Sequence, residues 1–279
     1  MSYKSLVVHL DSDSRCADRT YIATQLALQY GAHLTGVYLI HQPEVPSAIR
    51  AELGADFLLE RYQQWRGAQI DEVKSKYEEL CARAGIAGAE FRLVENQPED
   101  AIAVHARYAD LLILGQDVTN DEPSMITPGF AGRTMLASGR PVLIIPYAGT
   151  FAHIGKHVLL PWNASREAAR AVIDGLPFLQ RAEKVTVLSV NPSKTGGHGQ
   201  QPGADIAVFL ARHGVRVEID DNDAGEVEVG EWLLSRAYDL DIDLIVMGGY
   251  GHSRLRELAF GGVTRTILAE MTVPVLMSH

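Results

Sequence analysis

The sequence contains one pattern twice, and this internal repeat restricts the possible folds more than any other feature does. Residues 110–115 (DLLILG) correspond to residues 243–248 (DLIVMG), and residues 141–144 (PVLI) correspond to residues 274–277 (PVLM). Both pairs have the same offset along the chain, so the segment between them has one length in both copies. We therefore predict two tandem domains of one fold, residues 1–147 and residues 153–279, joined by a small, polar segment.

The repeat also shows where the two copies differ in length. Asp11 and Asn163 each follow an apolar run that resembles a buried strand, and they are further apart than Gly115 and Gly248. Since the offset shrinks along the chain, the first copy carries about nineteen extra residues. They lie within residues 43–84, where the composition predicts a long charged helix over residues 51–83.

Each copy is predicted to alternate five strands with four helices. The runs 111–114 and 244–247 are apolar throughout rather than alternating, which is typical of central parallel strands covered on both faces. Parallel strands joined through helices require right-handed crossovers. The fold class is therefore α/β, with two tandem doubly wound parallel-sheet domains. In such sheets ligands bind beyond the carboxyl ends of the strands.

Composition excludes several classes of protein. The chain is 47% hydrophobic and 22% charged, which is sufficient for a packed core, and its net charge of −10 argues against a nucleic-acid partner. No apolar run is long enough to span a bilayer, and no signal peptide is recognised, so no membrane association is expected. Two isolated cysteines, Cys16 and Cys81, fit reduced thiols in a cytoplasmic protein.

A glycine-rich segment follows the fourth strand of the second copy. Gly248 and Gly251 come directly after the apolar run, and Gly261-Gly262 precede a helix predicted over residues 263–271. Thr264 lies in the first turn of that helix, where free N–H groups and the helix dipole favour an anion. Glycines permit close approach of the backbone to a ligand. This pattern indicates a phosphate site.

The segment and the tandem organisation together resemble the universal stress protein family, and the resemblance covers nearly the whole chain. The family's ATP-binding pattern is G-x2-G-x9-G-[ST]; Gly248, Gly251 and Gly261 fit its glycines, whereas Gly262 replaces the final Ser or Thr. The resemblance implies domains similar to adenine nucleotide α-hydrolases and an ATP ligand, with or without Mg²⁺. No P-loop sequence occurs in the chain.

The resemblance also implies a set of nucleotide-binding positions. Adenine and ribose are expected at the ends of the first two strands of the second copy, where Asn163 replaces the family's usual Asp. Trp162 either covers the base or belongs to the core. No catalytic residue and no metal ligand is assigned. The full predicted set is Pro161, Trp162, Asn163, Val190, Met247, Gly248, Tyr250, Gly251, His252, Gly261, Gly262, Val263 and Thr264.

The first copy lacks most of this pattern. At the matching positions, Val118 replaces Gly251 and Pro128 replaces Gly261. The same loop carries Asp117, Asp121 and Glu122, which would repel a triphosphate unless a cation intervened. We therefore expect about one nucleotide per chain, bound in the second domain. We also expect Gly251→Val to weaken ATP binding with little effect on folding, because valine would block a positive φ and close approach of phosphate.

The leading functional hypothesis is an ATP-binding, nucleotide-dependent regulatory protein of the stress response that acts on unidentified protein partners. One alternative is an enzyme of the same fold class that hydrolyses nucleotide or transfers an adenylyl group, with at most slow ATP hydrolysis expected. Another is a dimerisation module without a ligand. Single-domain members of the family dimerise through their last strands, so residues 141–145 and 274–277 are expected to pair within this chain. The product would be a pseudo-dimer, with a homodimer as a further option.

Overall fold

The structure is a computed structural model, and it describes residues 2–40, 55–94, 98–117, 129–190, 203–222, 227–251 and 262–279. Both copies of the pattern fold as alternating strands and helices. The first repeat contains β1 (Ser5–Leu10), α1 (Cys16–Tyr30), β2 (His33–Leu39), α2 (Ala55–Arg83), β3 (Glu90–Val94), α3 (Pro98–Ala106), β4 (Leu111–Gly115), α4 (Phe130–Ser138) and β5 (Val142–Ile145). The second contains β6 (His157–Pro161), α5 (Arg166–Leu179), β7 (Lys184–Val190), α6 (Ala204–Arg212), β8 (Val217–Asn222), α7 (Val229–Asp239), β9 (Leu244–Gly248), α8 (Val263–Glu270) and β10 (Val275–Ser278).

The ten strands form one sheet, in the order β3-β2-β1-β4-β5-β10-β9-β6-β7-β8. Within each repeat the strands are parallel, and the order reverses beside the first strand of that repeat. This order defines a doubly wound sheet with a crevice at each reversal, as the apolar strand pattern predicted.

The two repeats meet through their last strands. β5 and β10 pair antiparallel, with Leu143 opposite Leu276 and Ile144 opposite Val275. The prediction that these strands pair within the chain is confirmed. Gln116 adds a second link, since its side-chain amide donates to the carbonyls of Leu268 and Ala269 at the end of α8. The two repeats therefore form a pseudo-dimer within one chain, through the pairing of β5 with β10.

Hydrogen bonds at the amino ends of the first strands repeat between the two copies. The carboxylate of Asp110 accepts from the backbone N–H groups of Lys4 and Ser5. Its counterpart Asp243 accepts from Lys156 and His157, which occupy the matching positions before β6, and also from Gly155. The two repeats therefore share this detail of structure as well as the order of their elements.

The extra residues of the first repeat extend one helix. α2 has 29 residues, whereas the corresponding α6 has 9. Tyr77 of α2 packs into the core and donates to the carbonyl of Leu34 at 3.2 Å, so the long helix is anchored to β2. None of the described helices combines the length and hydrophobicity that a membrane span requires.

Candidate functional site

The crevice of the second repeat begins where β6 ends. Pro161 closes the strand, and Trp162, half-buried against the core, donates its backbone N–H to the Leu188 carbonyl at 2.8 Å. Asn163 is exposed, and its side-chain oxygen accepts from the backbone N–H of Ser165 at 3.1 Å. Ser165 then caps α5, accepting from Ala168 N–H at 3.1 Å. The Asn163 oxygen shapes this turn, whereas its amide N–H₂ makes no hydrogen bond to the described part of the chain.

Gly248 brings the end of β9 against the start of α5. A Cβ built on this residue would lie 2.5 Å from the backbone nitrogen of Ala168 and 2.5 Å from the carbonyl carbon of Glu167. Both contacts are with backbone atoms, which have little freedom to move away. Close packing of a helix on a strand, rather than conformational freedom, therefore requires glycine at this position.

The loop after Gly248 differs from expectation in its backbone geometry. The residue with positive φ is Tyr250, at 56°, and not Gly251. The part of the Gly251→Val argument that rested on positive φ is therefore wrong. A Cβ built on Gly251 would instead lie 3.0 Å from Oε2 of Glu167, so a side chain here would require the Glu167 carboxylate to move by a few tenths of an ångström.

The glycine loop is fastened to α8 through a hydrogen bond. The backbone N–H of Tyr250 donates to the hydroxyl oxygen of Thr264, which is buried in the first turn of that helix, at 3.2 Å. Within the described residues, no side chain accepts a hydrogen bond from the backbone N–H groups of Gly262, Val263 or Thr264. These N–H groups at the positive end of the helix dipole form a potential anion site.

One acidic side chain that the sequence reasoning did not select lies at this crevice. Glu167 is only 5% exposed, although it belongs to the first turn of α5. Its Oε1 lies 3.0 Å from Nη2 of Arg166, a side chain that is itself 92% exposed, and its Oε2 faces Gly251. A buried carboxylate beside the glycine loop adds negative charge where phosphates are expected.

The same place in the first repeat is filled by a buried ion pair. Arg19 of α1 is 3% exposed, and its Nη2 lies 2.8 Å from Oδ2 of Asp11, which is 9% exposed. Its Nε donates to the His9 carbonyl at 2.8 Å, and a Cβ built on Gly115 would lie 2.5 Å from its Nη1. Burial alone would raise the pKa of Asp11, but Arg19 and His9 lower it below its ordinary value. The guanidinium therefore occupies the carboxyl end of β4.

The helix that corresponds to α8 is already capped in the first repeat. Oδ2 of Asp117 accepts from the backbone N–H of Gly129 at 2.7 Å, and Oδ1 accepts from Ala131 at 3.4 Å. Burial raises the pKa of this carboxyl above its ordinary value, although the backbone N–H groups partly offset the shift. Asp117 was predicted to repel a triphosphate unless a cation intervened, and the structure places its carboxylate at the anion position of α4.

The structure brings most of the predicted site residues to the carboxyl edge of the second repeat's sheet. Two of them carry side chains committed elsewhere: Met247 is buried in the core, and the Thr264 oxygen holds the Tyr250 backbone. His252 and Gly261 lie outside the described residues, as does the side chain of Val190. The assignment of all thirteen positions to a ligand remains a prediction.

Glu167 could have been recognised only in part from the sequence. Its position after Ser165 marks the first turn of a helix, where acidic residues are common and usually exposed. Its burial follows from the approach of Gly248 and Gly251, which depends on the packing of α5 against β9. No sequence pattern reports that contact.

The fold and the crevices define a class: a tandem doubly wound α/β protein with a glycine loop at the carboxyl edge of its second repeat. The solved structure of a universal stress protein from Archaeoglobus fulgidus aligns over 98% of this chain and 95% of its own, with TM-score 0.72 and 13% identity. A Pseudomonas aeruginosa PAO1 protein of unknown function aligns over 99% of this chain and 92% of its own, with TM-score 0.58 and 14% identity. At these identities the likeness shows the fold.

Two sequence comparisons also find universal stress proteins. Residues 155–279 match the model described as the universal stress protein family. Universal stress protein Slr1230 of Synechocystis is 28% identical over 179 residues, which are 60% of this chain and 57% of that protein. The match thus spans little more than half of the relative's length. The second repeat therefore matches the universal stress protein family model, and the chain is similar in sequence to a universal stress protein over 60% of its length.

Proposed function

We propose that the second repeat binds one adenine nucleotide per chain, with its phosphates at the amino end of α8, and that the protein acts in the stress response through this binding. The observation that carries the proposal is the contrast between two equivalent helices. Asp117 fills the anion position of α4, whereas no side chain of the described residues fills that of α8. Three backbone N–H groups there suit a phosphate.

The second element of the proposal is the lack of side chains at Gly248 and Gly251, of which Gly251 is exposed. Gly248 and Gly251 place backbone, with no side chain, between the end of β9 and the first turn of α5. Asn163 and Trp162 lie at the neighbouring strand end, where the exposed amide of Asn163 can donate to adenine or ribose. Ligands of doubly wound sheets bind at this edge.

The buried carboxylate of Glu167 affects which form of the nucleotide should bind. A buried carboxylate beside Gly251 would repel a bare triphosphate, so the site should favour nucleotide that carries Mg²⁺. Mg²⁺ in proteins is commonly held by one or two carboxylates together with substrate phosphates. Glu167 is the side chain that would contact such an ion.

The two free cysteines suit a reducing compartment, so the proposed location is the cytoplasm.

The test is calorimetric titration of the whole chain with ATP, ADP and AMP, with and without Mg²⁺. We expect one site per chain and tighter ATP binding when Mg²⁺ is present. Gly251→Val should reduce affinity at least about tenfold, because its side chain would press on Glu167 and cover the loop backbone. Gly67→Val, in α2 with open space around the built Cβ, is the matched control and should bind normally.

Three outcomes would count against the proposal. Two equal sites per chain would remove the asymmetry between the repeats, and unchanged affinity in a folded Gly251→Val variant would exclude the loop. No binding of any adenine nucleotide by the wild-type chain would favour a dimerisation module. Release of ADP and phosphate during the titration would instead support the enzymatic alternative.

A further inference from the structure

The glycine loop of the second repeat makes contact with the first repeat. Tyr250 extends its ring onto α4, where a Cβ built on Gly132 would lie 2.1 Å from the tyrosine Oη and 3.0 Å from its Cζ. The preceding residue also touches this helix, because a Cβ built on Gly249 would lie 2.9 Å from Cε of Met135. Two consecutive loop residues therefore rest on one helix of the other repeat.

The Gly249 contact has a counterpart in the opposite direction, since Gln116 of the first repeat donates to the Leu268 carbonyl of α8, but among the described residues the Tyr250 contact does not recur at the matching position. By the offset that relates Gly115 to Gly248, Tyr250 corresponds to Asp117 and Gly132 corresponds to Arg265. Asp117 turns back to cap its own helix, and Arg265 could not provide the flat seat that Gly132 gives to an aromatic ring. The same position therefore closes the anion site in the first repeat, while in the second it reaches across the pseudo-dimer.

Tyr250 is held from two sides. Its backbone N–H donates to Thr264 of α8, and its ring packs against the apolar cluster that includes Met135 and Met277. It also adopts φ 56°, a left-handed conformation that residues other than glycine seldom adopt without support from their surroundings. The seat on Gly132 gives that support.

We propose that the first repeat supports the second repeat's ligand site: α4, through Gly132, positions Tyr250 and thereby holds residues 248–251 in their binding geometry. Tyr250 and Gly132 are positioning residues in this scheme. The inference rests on the proposed nucleotide site for its affinity readout, but the contact itself does not depend on a ligand. It follows that the first repeat, although its own crevice is filled, cannot be removed or repacked without loss of binding.

The test is Gly132→Ala in the full chain, measured by ATP titration and by hydrogen exchange of the backbone amides of residues 262–266. The added methyl must displace the Tyr250 ring, so we expect about fivefold or greater loss of affinity and faster exchange at the start of α8. Gly67→Ala, in α2 with nothing within 4 Å of the built Cβ, should change neither measurement. Gly132→Ala with Tyr250→Phe removes the shortest contact and should recover part of both effects.

Each result decides the question. A folded Gly132→Ala chain with wild-type affinity and wild-type exchange would overturn the inference. Equal losses in the presence and absence of Tyr250→Phe would show that α4 acts by some other contact, which also overturns it. If Gly132→Ala unfolds, recovery of folding by Tyr250→Phe supports the contact, and failure to recover refutes it. If the wild-type chain binds no adenine nucleotide, the proposed function fails, and the exchange data alone decide whether the loop is seated by α4.

Discussion

The two crevices of this chain lie at equivalent edges of one sheet, yet different kinds of side chain line them. In the first repeat, Arg19 and Asp11 form a buried ion pair at the strand ends, and Asp117 caps α4. In the second, Asn163 and Tyr250 stand at the positions of Asp11 and Asp117, and the amino end of α8 has no such cap among the described residues. The first crevice thus contains an internal ion pair and an internal helix cap, whereas in the described part of the second the helix start has neither.

The comparison teaches that loss of a site need not mean loss of structure. An anion site is a set of unsatisfied N–H groups, and a carboxylate on the same chain satisfies them as well as a phosphate does. In the first repeat, Asp117 provides this stabilisation permanently. The second repeat would gain it only on binding, so its stability should depend on nucleotide concentration.

The largest expected difference between the repeats concerns Asp11 and its counterpart Asn163. Asp11→Ala leaves the guanidinium of Arg19 buried without its carboxylate, which typically costs about 3–5 kcal/mol of unfolding free energy. Asn163→Ala removes one turn hydrogen bond at an exposed position and should cost about 1 kcal/mol. Urea unfolding of both variants measures the difference. Similar losses of unfolding free energy would mean that the ion pair contributes no more to stability than the turn hydrogen bond does.

An intermediate difference is expected for the glycines that end β4 and β9. Gly248→Ala would press a methyl group on the backbone of α5, and overpacking of this kind usually costs about 1–3 kcal/mol. Gly115→Ala would meet only the end of the Arg19 side chain, which can shift, so it should cost less. The comparison can be made by thermal unfolding without ligand. A larger cost for Gly115→Ala would show that Arg19 is too constrained to move.

The repeat in the sequence was sufficient to predict much of the fold. Apolar runs such as residues 111–114 and 244–247 identified the central strands, and the matching runs 141–144 and 274–277 marked the last strands, β5 and β10, that pair. These features are local and periodic, so a single sequence reports them. The structure changed helix ends only slightly, as at α8, which was predicted over residues 263–271 and spans Val263–Glu270.

The chemistry of the crevices was only partly predictable. The glycine spacing located the loop, but it could not show that Tyr250 takes the left-handed conformation or that Glu167 is buried beside Gly251. Nor did the sequence reveal that Asp117 folds back onto α4, because its partners, Gly129 and Ala131, are twelve or more residues away. Each of these features depends on packing between distant elements.

The smallest expected effect tests the cap itself. Asp117→Ala frees the N–H groups of Gly129 and Ala131 and should cost about 1 kcal/mol of unfolding free energy, as loss of a helix cap usually does. Asp117→Asn keeps an acceptor oxygen and should cost less.

The pH dependence of stability follows from burial, which raises the pKa of the Asp117 carboxyl in the folded chain. The folded state therefore holds the proton more tightly than the unfolded state, whose carboxyl titrates near about 3.9. The stability that this proton contributes is complete below the pKa of the unfolded state, and it is lost as pH rises through the higher pKa of the folded state. Relative to Asp117→Asn, the wild-type chain should thus lose stability across that range and change little above it. The trend can be measured by urea unfolding of the two chains at about eight pH values between pH 3.5 and 7. If the unfolding free energy of the wild type instead rises relative to Asp117→Asn as pH rises, the cap is stabilised as a carboxylate and its pKa lies below the ordinary value.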